Sequence, residues 1–188
     1  MPEAAPDTEP QANLALGVVG NGSVAALIDA QARVVWCCLP RFDADASFCA
    51  LLSPRMPGGD WCIELDDFEH AEQSYLPNTA VLVTRMFDRH GGGIEVVDFA
   101  PRYRSHGRVY HPVLLARRVS PICGSPRVRV RLRPLCDYGA RTPERTSGSN
   151  HIRYLLSDVV QRLTSDVAVP LIERELPFAL DRPAHFVF

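Results

Sequence analysis

The stretch AVLVTRMFDRHGGGIEVVDF, from Ala80 to Phe99, decides the fold class. Two runs rich in β-branched residues, Ala80–Phe87 and Ile94–Phe99, flank the six residues from Asp88 to Gly93, which include three consecutive glycines. β-Branched side chains pack well on a pleated sheet, and a short glycine-rich connection lets the chain reverse its direction. The stretch therefore predicts a β-hairpin.

Similar short apolar runs recur on both sides of this hairpin, separated by turn residues such as Gly20-Asn21-Gly22. The main ones are Leu14–Val19, Ser23–Ile28, Arg33–Leu39, Trp61–Leu65, Val113–Val119, Arg127–Arg133, Ile152–Val160, Val167–Ile172, Phe178–Leu180 and His185–Phe188. They amount to ten to twelve short strands with no persuasive amphipathic helix. This pattern predicts an all-β, antiparallel sandwich or barrel.

Four segments are less regular. The acidic segment 64–72, the polar and aromatic segment 102–111 and the polar segment 142–150 lack periodicity, and we interpret them as loops. Segment 152–163 is long enough for a helix, but its β-branched content favours a strand.

With 188 residues, 46% apolar and 22% charged, the chain has the composition of one soluble domain. Residues 1–13 are acidic and proline-rich and predict a disordered leader without the apolar segment of a signal peptide, which leaves 14–188 as the domain. The net charge of −2 argues against nucleic acid or an anionic membrane as a partner. No apolar run approaches the length of a membrane span.

The six cysteines predict neither a metal site nor disulfides. They form no C-x-x-C pair, and no histidine lies at ligand spacing from them. Their apolar neighbours favour buried free thiols in a reducing cytoplasm, and no cofactor motif is present. The cysteines are Cys37, Cys38, Cys49, Cys62, Cys123 and Cys136.

The stretch WCCLPRFDADASFCALL, from Trp36 to Leu52, is the main candidate for function. An apolar strand breaks at Pro40, and a second apolar run follows from Phe48, so the residues between them predict a loop held on a rigid scaffold. The polar and aromatic residues of this loop are Arg41, Phe42, Asp43 and Asp45. They either contact a ligand, or Arg41 pairs with one of the two aspartates and ties the loop down.

The alternating run RVRVRLR, Arg127–Arg133, places four arginines on one face of a predicted strand. It is either an anion-binding stripe or a half-exposed strand whose arginines meet acidic residues on adjacent strands, and the acidic net charge favours the second interpretation.

No catalytic motif appears among G-x-S-x-G, G-x-x-x-x-G-K-[ST] and H-E-x-x-H, and the six histidines are scattered. Glycoside hydrolysis requires an acid and a base on opposite sides of the scissile bond. Asp43 and Asp45 share one short loop, so a free-standing hydrolase built on them is disfavoured. We therefore assign no catalytic residue.

An ordered series of motifs resembles the N-terminal, trehalase-like domain of bacterial glycoside hydrolase family 15 proteins, the glucoamylases and trehalase-like enzymes. The motifs are GNGSVAALIDAQARVVWCCLPRFDADASFCALLSP (20–54) with GGDWCIEL (58–65), YLPNTAVLVTRMFD (75–88), GGIEVVDFAPR (92–102), LLARRVSPICG (114–124) and RLRPLCDYG (131–139). Ala32 stands where relatives usually carry a turn glycine, which predicts an altered turn.

The resemblance implies a β-sandwich, of the kind called a supersandwich, that precedes a barrel of paired α-helices. In the family this barrel carries both catalytic glutamates and cleaves terminal α-glucosidic bonds with inversion. The chain stops at HFVF, about where the linker to the barrel begins, so those glutamates have no counterpart here. Glu173 and Glu175 lie in a terminal strand pattern and receive no catalytic role.

The resemblance predicts a non-catalytic domain that packs on the barrel, with the 40–45 loop bordering the substrate entrance. Arg41 and Asp43 would hydrogen-bond sugar hydroxyls or barrel residues, while Trp36 and Phe42 would offer apolar surface. In isolation, an exposed apolar face would favour a homodimer.

The rival interpretation is a stand-alone carbohydrate-binding or interaction module, which requires an exposed aromatic platform. Tyr103 and Tyr110 are the candidates for such a platform, unless each packs on its own strand.

Overall fold

The computed structural model describes residues 14–52, 57–156 and 159–188, so the predicted leader lies outside the described residues. Two antiparallel sheets pack face to face and are accompanied by one two-stranded hairpin and one short helix. The predicted all-β sandwich is confirmed. The described residues form seventeen strands, more than the ten to twelve predicted.

The elements follow one another in short steps. In chain order they are β1 Gly17–Gly20, β2 Ala25–Ile28, β3 Val34–Cys38, β4 Ala46–Phe48, β5 Asp60–Leu65, β6 Phe68–Tyr75, β7 Leu82–Asp88, β8 Gly93–Phe99, β9 Tyr103–Ser105, β10 Arg108–Tyr110, β11 Ala116–Cys123, β12 Arg127–Arg133, β13 Glu144–Ser147, β14 His151–Leu155, β15 Val160–Ser165, α1 Val169–Glu173, β16 Phe178–Ala179 and β17 Ala184–Val187.

The first sheet has the order β1-β2-β3-β5-β12-β16, with β4 paired to β3. The second has the order β13-β14-β15-β17-β11-β8-β7-β6, and β9 pairs with β10 on its own. The predicted hairpin is confirmed as β7–β8, in register from Leu82 opposite Asp98 to Phe87 opposite Gly93.

Aromatic rings from both sheets meet in the core. Phe188, which follows β17, lies 5.4 Å from the ring of Phe48 and 5.9 Å from that of Trp61, measured between centroids. All three are at least 93% buried, since the most exposed, Phe188, is 7% exposed. Burying a side chain of this size contributes about 2–3 kcal/mol, so these rings are a main source of cohesion between the sheets.

A buried ion pair also joins the sheets. Arg117 on β11 and Asp98 on β8 are 2% and 3% exposed, and the guanidinium donates two hydrogen bonds to the carboxylate, at 2.6 and 3.1 Å. Arg117 also donates to the carbonyl oxygen of Trp61 in the other sheet and lies 4.7 Å above the centre of its indole ring. Burial raises the pKa of Asp98, and the charge of Arg117 opposes that shift.

Three segments that we interpreted as loops contain strands. Segment 64–72 contributes to β5 and β6, segment 102–111 forms β9 and β10, and segment 142–150 contains β13. Apart from β5, which is buried, these strands are largely exposed: β6, β9, β10 and β13 bury none of their residues. A strand that buries neither face carries no alternation of apolar and polar residues, so its sequence resembles that of a loop.

Two predictions near the C-terminus had opposite outcomes. The strand interpretation of segment 152–163 is confirmed by β14 and β15, which pair with each other. Segment 167–172, counted among the strands, instead leads into the helix α1, which has a proline in its first turn. Glu173 therefore ends a helix and Glu175 follows it, so their placement in a strand pattern was wrong. Proline fits the first helical turn because its missing N–H has no helical partner there.

The arginines of β12 meet acidic residues, as the structural interpretation predicted. Arg133 contacts Glu175 at 2.6 Å, Arg131 contacts Glu64 at 2.8 Å, and Arg127 contacts Asp66 at 3.6 Å. The stripe is thus neutralised within the domain and does not present four unpaired cations.

All six cysteines are free. Burial raises the pKa of Cys37 and of Cys62 to about 12, in keeping with apolar packing. Cys38 is half-buried and Cys123 is exposed, so the prediction of a buried thiol was wrong for Cys123. Cys123 ends β11 beside the glycine-rich β7–β8 turn, where no layer of side chains covers it.

Candidate functional site

The connections between strands gather at two ends of the sandwich. Gly20 pairs with Ala25, and Ala26 with Cys37, so the turn after β1 and the segment after β3 lie at the same end. We call this the loop end, formed by residues 21–24, 39–45, 76–81, 100–115 and 134–143 with Leu156 and Val159. The opposite turn end consists of residues 29–33, 66–67, 89–92 and 124–126.

The 39–45 loop carries an exposed ion pair. The Nε and Nη2 atoms of Arg41 donate to the two carboxylate oxygens of Asp43, at 2.9 and 2.7 Å. This is one of the two pairings proposed as the structural alternative to ligand contact. Hydrogen bonds from Arg41 lower the pKa of Asp43. The side chains remain 75% and 69% exposed, so the pair can still meet an incoming partner.

Asp45 joins this loop to a distant one. Its carboxylate accepts hydrogen bonds from the backbone N–H groups of Asp137 and Tyr138, the latter at 2.8 Å. Both residues have positive φ, 54° and 53°, and successive N–H groups in such a turn point toward one anion. Asp137 in turn pairs with Arg141. The 39–45 and 134–143 segments therefore form one structural unit.

An open cavity of about 370 Å³ lies between these two segments and the β14–β15 connection. Within the unit, Phe42 and Tyr138 are 57% and 70% exposed, which leaves two aromatic side chains at the surface. The cavity is lined by Leu39, Pro40, Ala44, Asp45, Cys136, Asp137, Leu156 and Val159.

The structure brings four of the five predicted site residues into one loop: Arg41, Phe42, Asp43 and Asp45. Trp36 lies apart from them on β3, half-buried against a small apolar cluster. That cluster consists of Ala46, Cys49, Leu135 and Cys38.

Asn21, in the turn after β1, holds a second feature of the loop end. Its side-chain amide donates to the carbonyl oxygens of Pro101 and Pro112, at 2.9 and 2.8 Å, while its Oδ1 accepts from the backbone N–H groups of Ser23 and Val24. Pro101 and Pro112 bracket the β9–β10 hairpin, so Asn21 fixes both strands at their base. We call residues 101–112 the arm.

The arm displays two tyrosines. Tyr103 and Tyr110 are directly opposite each other, their rings stack at 5.5 Å with an interplanar angle of 15°, and they are 53% and 40% exposed. They therefore pack on each other across the hairpin and still leave aromatic surface to solvent. A trough of about 670 Å³ opens at the base of the arm. It is lined by Gly20–Gly22, Thr79–Val81 and Phe99–Tyr103.

Sequence reasoning identified the arginine and aspartates of the 39–45 loop but missed the roles of Asn21 and Tyr138. Asn21 was recognised as part of a turn, yet its partners lie 80 and 91 residues away. For Tyr138, the only indication in the sequence was that the motif RLRPLCDYG, which contains it, matches the family resemblance.

Neither aspartate of the 39–45 loop is available as a general acid or base. Asp43 is occupied by a guanidinium and Asp45 by backbone N–H groups. Among the described residues, no group of three or more His, Cys, Asp or Glu could hold a metal ion. Within the same residues, no helix is long and apolar enough to cross a membrane.

The family model and the relatives that match this chain point to the same family. The sequence model described as "Trehalase-like, N-terminal" matches residues 9–158. Trehalase 1 of Sulfolobus acidocaldarius is 36% identical over 88 residues, which are 46% of this chain and 15% of that protein. The trehalase of Thermoplasma volcanium is 27% identical over 129 residues, 68% of this chain and 20% of that protein. The matched part is thus at most a fifth of either relative. No solved structure matches this chain.

Proposed function

Since the chain belongs to the trehalase-like N-terminal family, we propose that it is the non-catalytic N-terminal domain of a family 15 glycoside hydrolase of the glucoamylase or trehalase type. In this proposal the domain works in the cytoplasm and packs, through its loop end, on a catalytic barrel of α-helices. The 40–45 loop borders the substrate entrance. The observation that carries the proposal is the linked pair of loops around Asp45, which presents exposed aromatic side chains on a fixed frame.

The loop end has the surface chemistry of an interface. Large exposed apolar side chains cluster there, whereas scattered single ones are usual on a soluble protein. Tyrosine and arginine are also the residues that contribute most to binding energy at interfaces. The exposed apolar side chains of this end are Phe42, Leu76, Tyr103, Val109, Tyr110, Val113 and Tyr138.

The 40–45 loop supports a role at the edge of a substrate site. Arg41 and Asp43 form a pre-arranged donor and acceptor pair that is open to solvent. Such a pair can exchange a water contact for a sugar hydroxyl or for a polar group of the barrel. Without a covering partner, the apolar side chains of the loop end would favour a homodimer, which light scattering of the isolated chain would detect.

The docking proposal is tested by mixing this chain with Trehalase 1 of Sulfolobus acidocaldarius shortened by the segment that matches it. We expect a complex by size-exclusion chromatography and calorimetry. Phe42→Ala combined with Tyr138→Ala should weaken it by about tenfold, since both variants remove apolar contact area. Ile122→Ala is the control, because Ile122 is 42% exposed and lies beside the turn end.

The same samples are assayed for glucose released from trehalose and maltose. We expect none from the chain alone. Absence of a complex, or equal weakening by Ile122→Ala, would contradict docking through the loop end. Glucose release by the isolated chain would contradict a non-catalytic role.

A further inference from the structure

We propose that the trough at the base of the arm is a non-catalytic binding site for α-glucosides, with Tyr103 as its aromatic wall. The choice of ligand class depends on the proposed function, and the existence of the site depends on geometry. At about 670 Å³, the trough falls within the range of about 300–1,000 Å³ that is usual for small-molecule sites.

The trough is built from three segments: Asn21 ties the turn after β1 to the arm, and the pairing of Leu82 with Asp98 joins the turn before β7 to the strand that leads into the arm. Asn21, on one wall, is 5% exposed and donates to the carbonyl oxygens of Pro101 and Pro112. The opposite wall is a turn in which Thr79 donates through Oγ1 to the carbonyl of Leu76 and accepts from the N–H of Val81. A site whose walls are already cross-linked loses little conformational entropy when a ligand binds.

The chemistry of the lining suits a sugar. Its apolar part comes from the side chains of Ala80, Val81, Phe99, Ala100 and Pro101. Tyr103 adds an aromatic ring whose position is fixed by stacking on Tyr110. Rings of this kind provide an apolar face together with a hydroxyl group, and a pyranose likewise has C–H faces and hydroxyl edges.

Hydrogen-bond donors surround this apolar surface. Arg102 lines the trough, and Arg104 and Arg108 lie farther along the arm; all three are exposed. No Asp or Glu occurs between residues 99 and 136, and within the described residues no ion pair involves these three arginines. Their N–H groups are therefore available to sugar hydroxyls.

A neutral ligand fits the trough better than an anion does. The lining is predominantly apolar and carries one charged residue, Arg102, so a phosphate or carboxylate placed there would lose most of its hydration in exchange for a single charged partner. A ligand with many hydroxyl groups and apolar faces meets both the lining and the peripheral arginines.

The experiment is titration of the ¹⁵N-labelled full chain with maltose, trehalose and, for comparison, lactose, followed by NMR. We expect saturable shifts for the α-glucosides at Gly20–Gly22, Thr79–Val81 and Tyr103, with a dissociation constant of about 1 mM. Tyr103→Ala should weaken binding at least about tenfold. Tyr110→Ala should weaken it less, since this residue supports the Tyr103 ring from behind.

Ile122→Ala is the control, because Ile122 is 42% exposed and lies beside the turn end, outside both the trough and the loop end. The proposal is overturned if no saturable shift appears, if Tyr103→Ala binds as tightly as the unchanged chain, or if lactose binds equally well. Loss of docking on Tyr103→Ala without any saccharide binding would assign the arm to a protein partner instead.

The two proposals fail separately. A chain that docks on the trehalase remainder but binds no saccharide loses only the trough site. A chain that binds α-glucosides through Tyr103 but docks on nothing retains the site and becomes the carbohydrate-binding module of the rival interpretation.

Discussion

The two ends of the sandwich satisfy their backbone groups in different ways. At the turn end, Asp29 accepts hydrogen bonds from the N–H groups of Gln31 and Arg33, and Asp88 accepts from those of His90 and Gly92. These partners lie two to four residues away. At the loop end, the carbonyl groups that accept from the Asn21 amide and the N–H groups that donate to Asp45 lie 80 to 93 residues away. The aspartates that cap the turn end thus bind neighbouring backbone groups, whereas Asn21 and Asp45 tie the loop end to segments far away in sequence.

In the proposed function, this difference separates an end that closes the sheets from the end that binds a partner. Short aspartate and glycine turns close the sheet and need no distant support. Longer connections fixed by distant contacts can instead carry exposed side chains in a defined arrangement, which a binding surface requires. The comparison predicts that substitutions at the two ends differ in how much they lower the free energy of unfolding. It also predicts that they differ in which residues show faster hydrogen exchange.

The largest effect is expected for Asp98→Asn. Asp98 and Arg117 lie one residue inside the strand ends from which the arm departs, and the substitution leaves a buried guanidinium without its counter-charge. Removing one partner of such a pair costs about 3–5 kcal/mol, measured as the free energy of unfolding in urea.

The control for Asp98→Asn is Glu95→Gln, on the same strand but facing the exposed Arg85 and Arg118. It should cost about 1 kcal/mol or less. Combining Asp98→Leu with Arg117→Met should recover much of the lost stability. Equal costs for the two single substitutions would show that the buried pair contributes no more to stability than the exposed one.

Asn21→Ala should have the next largest effect. It removes the side chain that contacts Pro101, Pro112, Ser23 and Val24, and leaves partly buried acceptors unpaired. We expect a loss of about 2–3 kcal/mol and faster amide exchange throughout the arm. Asp29→Ala, at the turn end, should cost about 1 kcal/mol, with faster exchange confined to residues 29–33. An unchanged arm in Asn21→Ala would contradict its role as a clamp.

Asp45→Ala and Asp88→Ala form the closest matched pair, because each removes two hydrogen bonds to backbone N–H groups. Both should cost about 1–2 kcal/mol. Hydrogen exchange should separate them: Asp45→Ala accelerates exchange at residues 136–141, far away in sequence, whereas Asp88→Ala affects only residues 88–92. Identical local patterns would remove the distinction between the two ends.

The smallest effect on folding is expected for Arg41→Ala. Its ion pair with Asp43 is largely solvent-exposed, and such pairs contribute little to stability. The melting temperature should therefore stay unchanged, while docking on the trehalase remainder weakens or, in an intact enzyme, KM rises. Unchanged docking together with an unchanged melting temperature would leave Arg41 without a role at the interface.

Sequence patterns predicted the strands that bury one or both faces. The alternation of Arg127–Arg133 gave β12 with its bounds, and the two β-branched runs gave β7 and β8. The patterns missed β6, β9, β10 and β13 because solvated strands are held by backbone hydrogen bonds, which every residue except proline can donate. The exposed Cys123 was missed because apolar neighbours in sequence do not guarantee apolar neighbours in space.

The candidate site was predictable only in part. The clustering of Arg41, Asp43 and Asp45 follows from their adjacency, and one of the two proposed ion pairs is present. That Asp45 instead binds the turn at Asp137 and Tyr138 could not be deduced from the 36–52 stretch.

What the sequence by itself determined is the fold class, the central hairpin and the turn end, because strand periodicity and aspartate turns depend on residues a few positions apart. The motifs of the sequence also indicated that the chain resembles trehalase-like domains. The tertiary structure alone decided that Asn21 clamps the arm, that Tyr103 stacks on Tyr110 above a trough, and that Arg117 bridges the sheets. Those contacts join residues 7 to 91 positions apart, and only the packing of the two sheets brings most of them within hydrogen-bond distance.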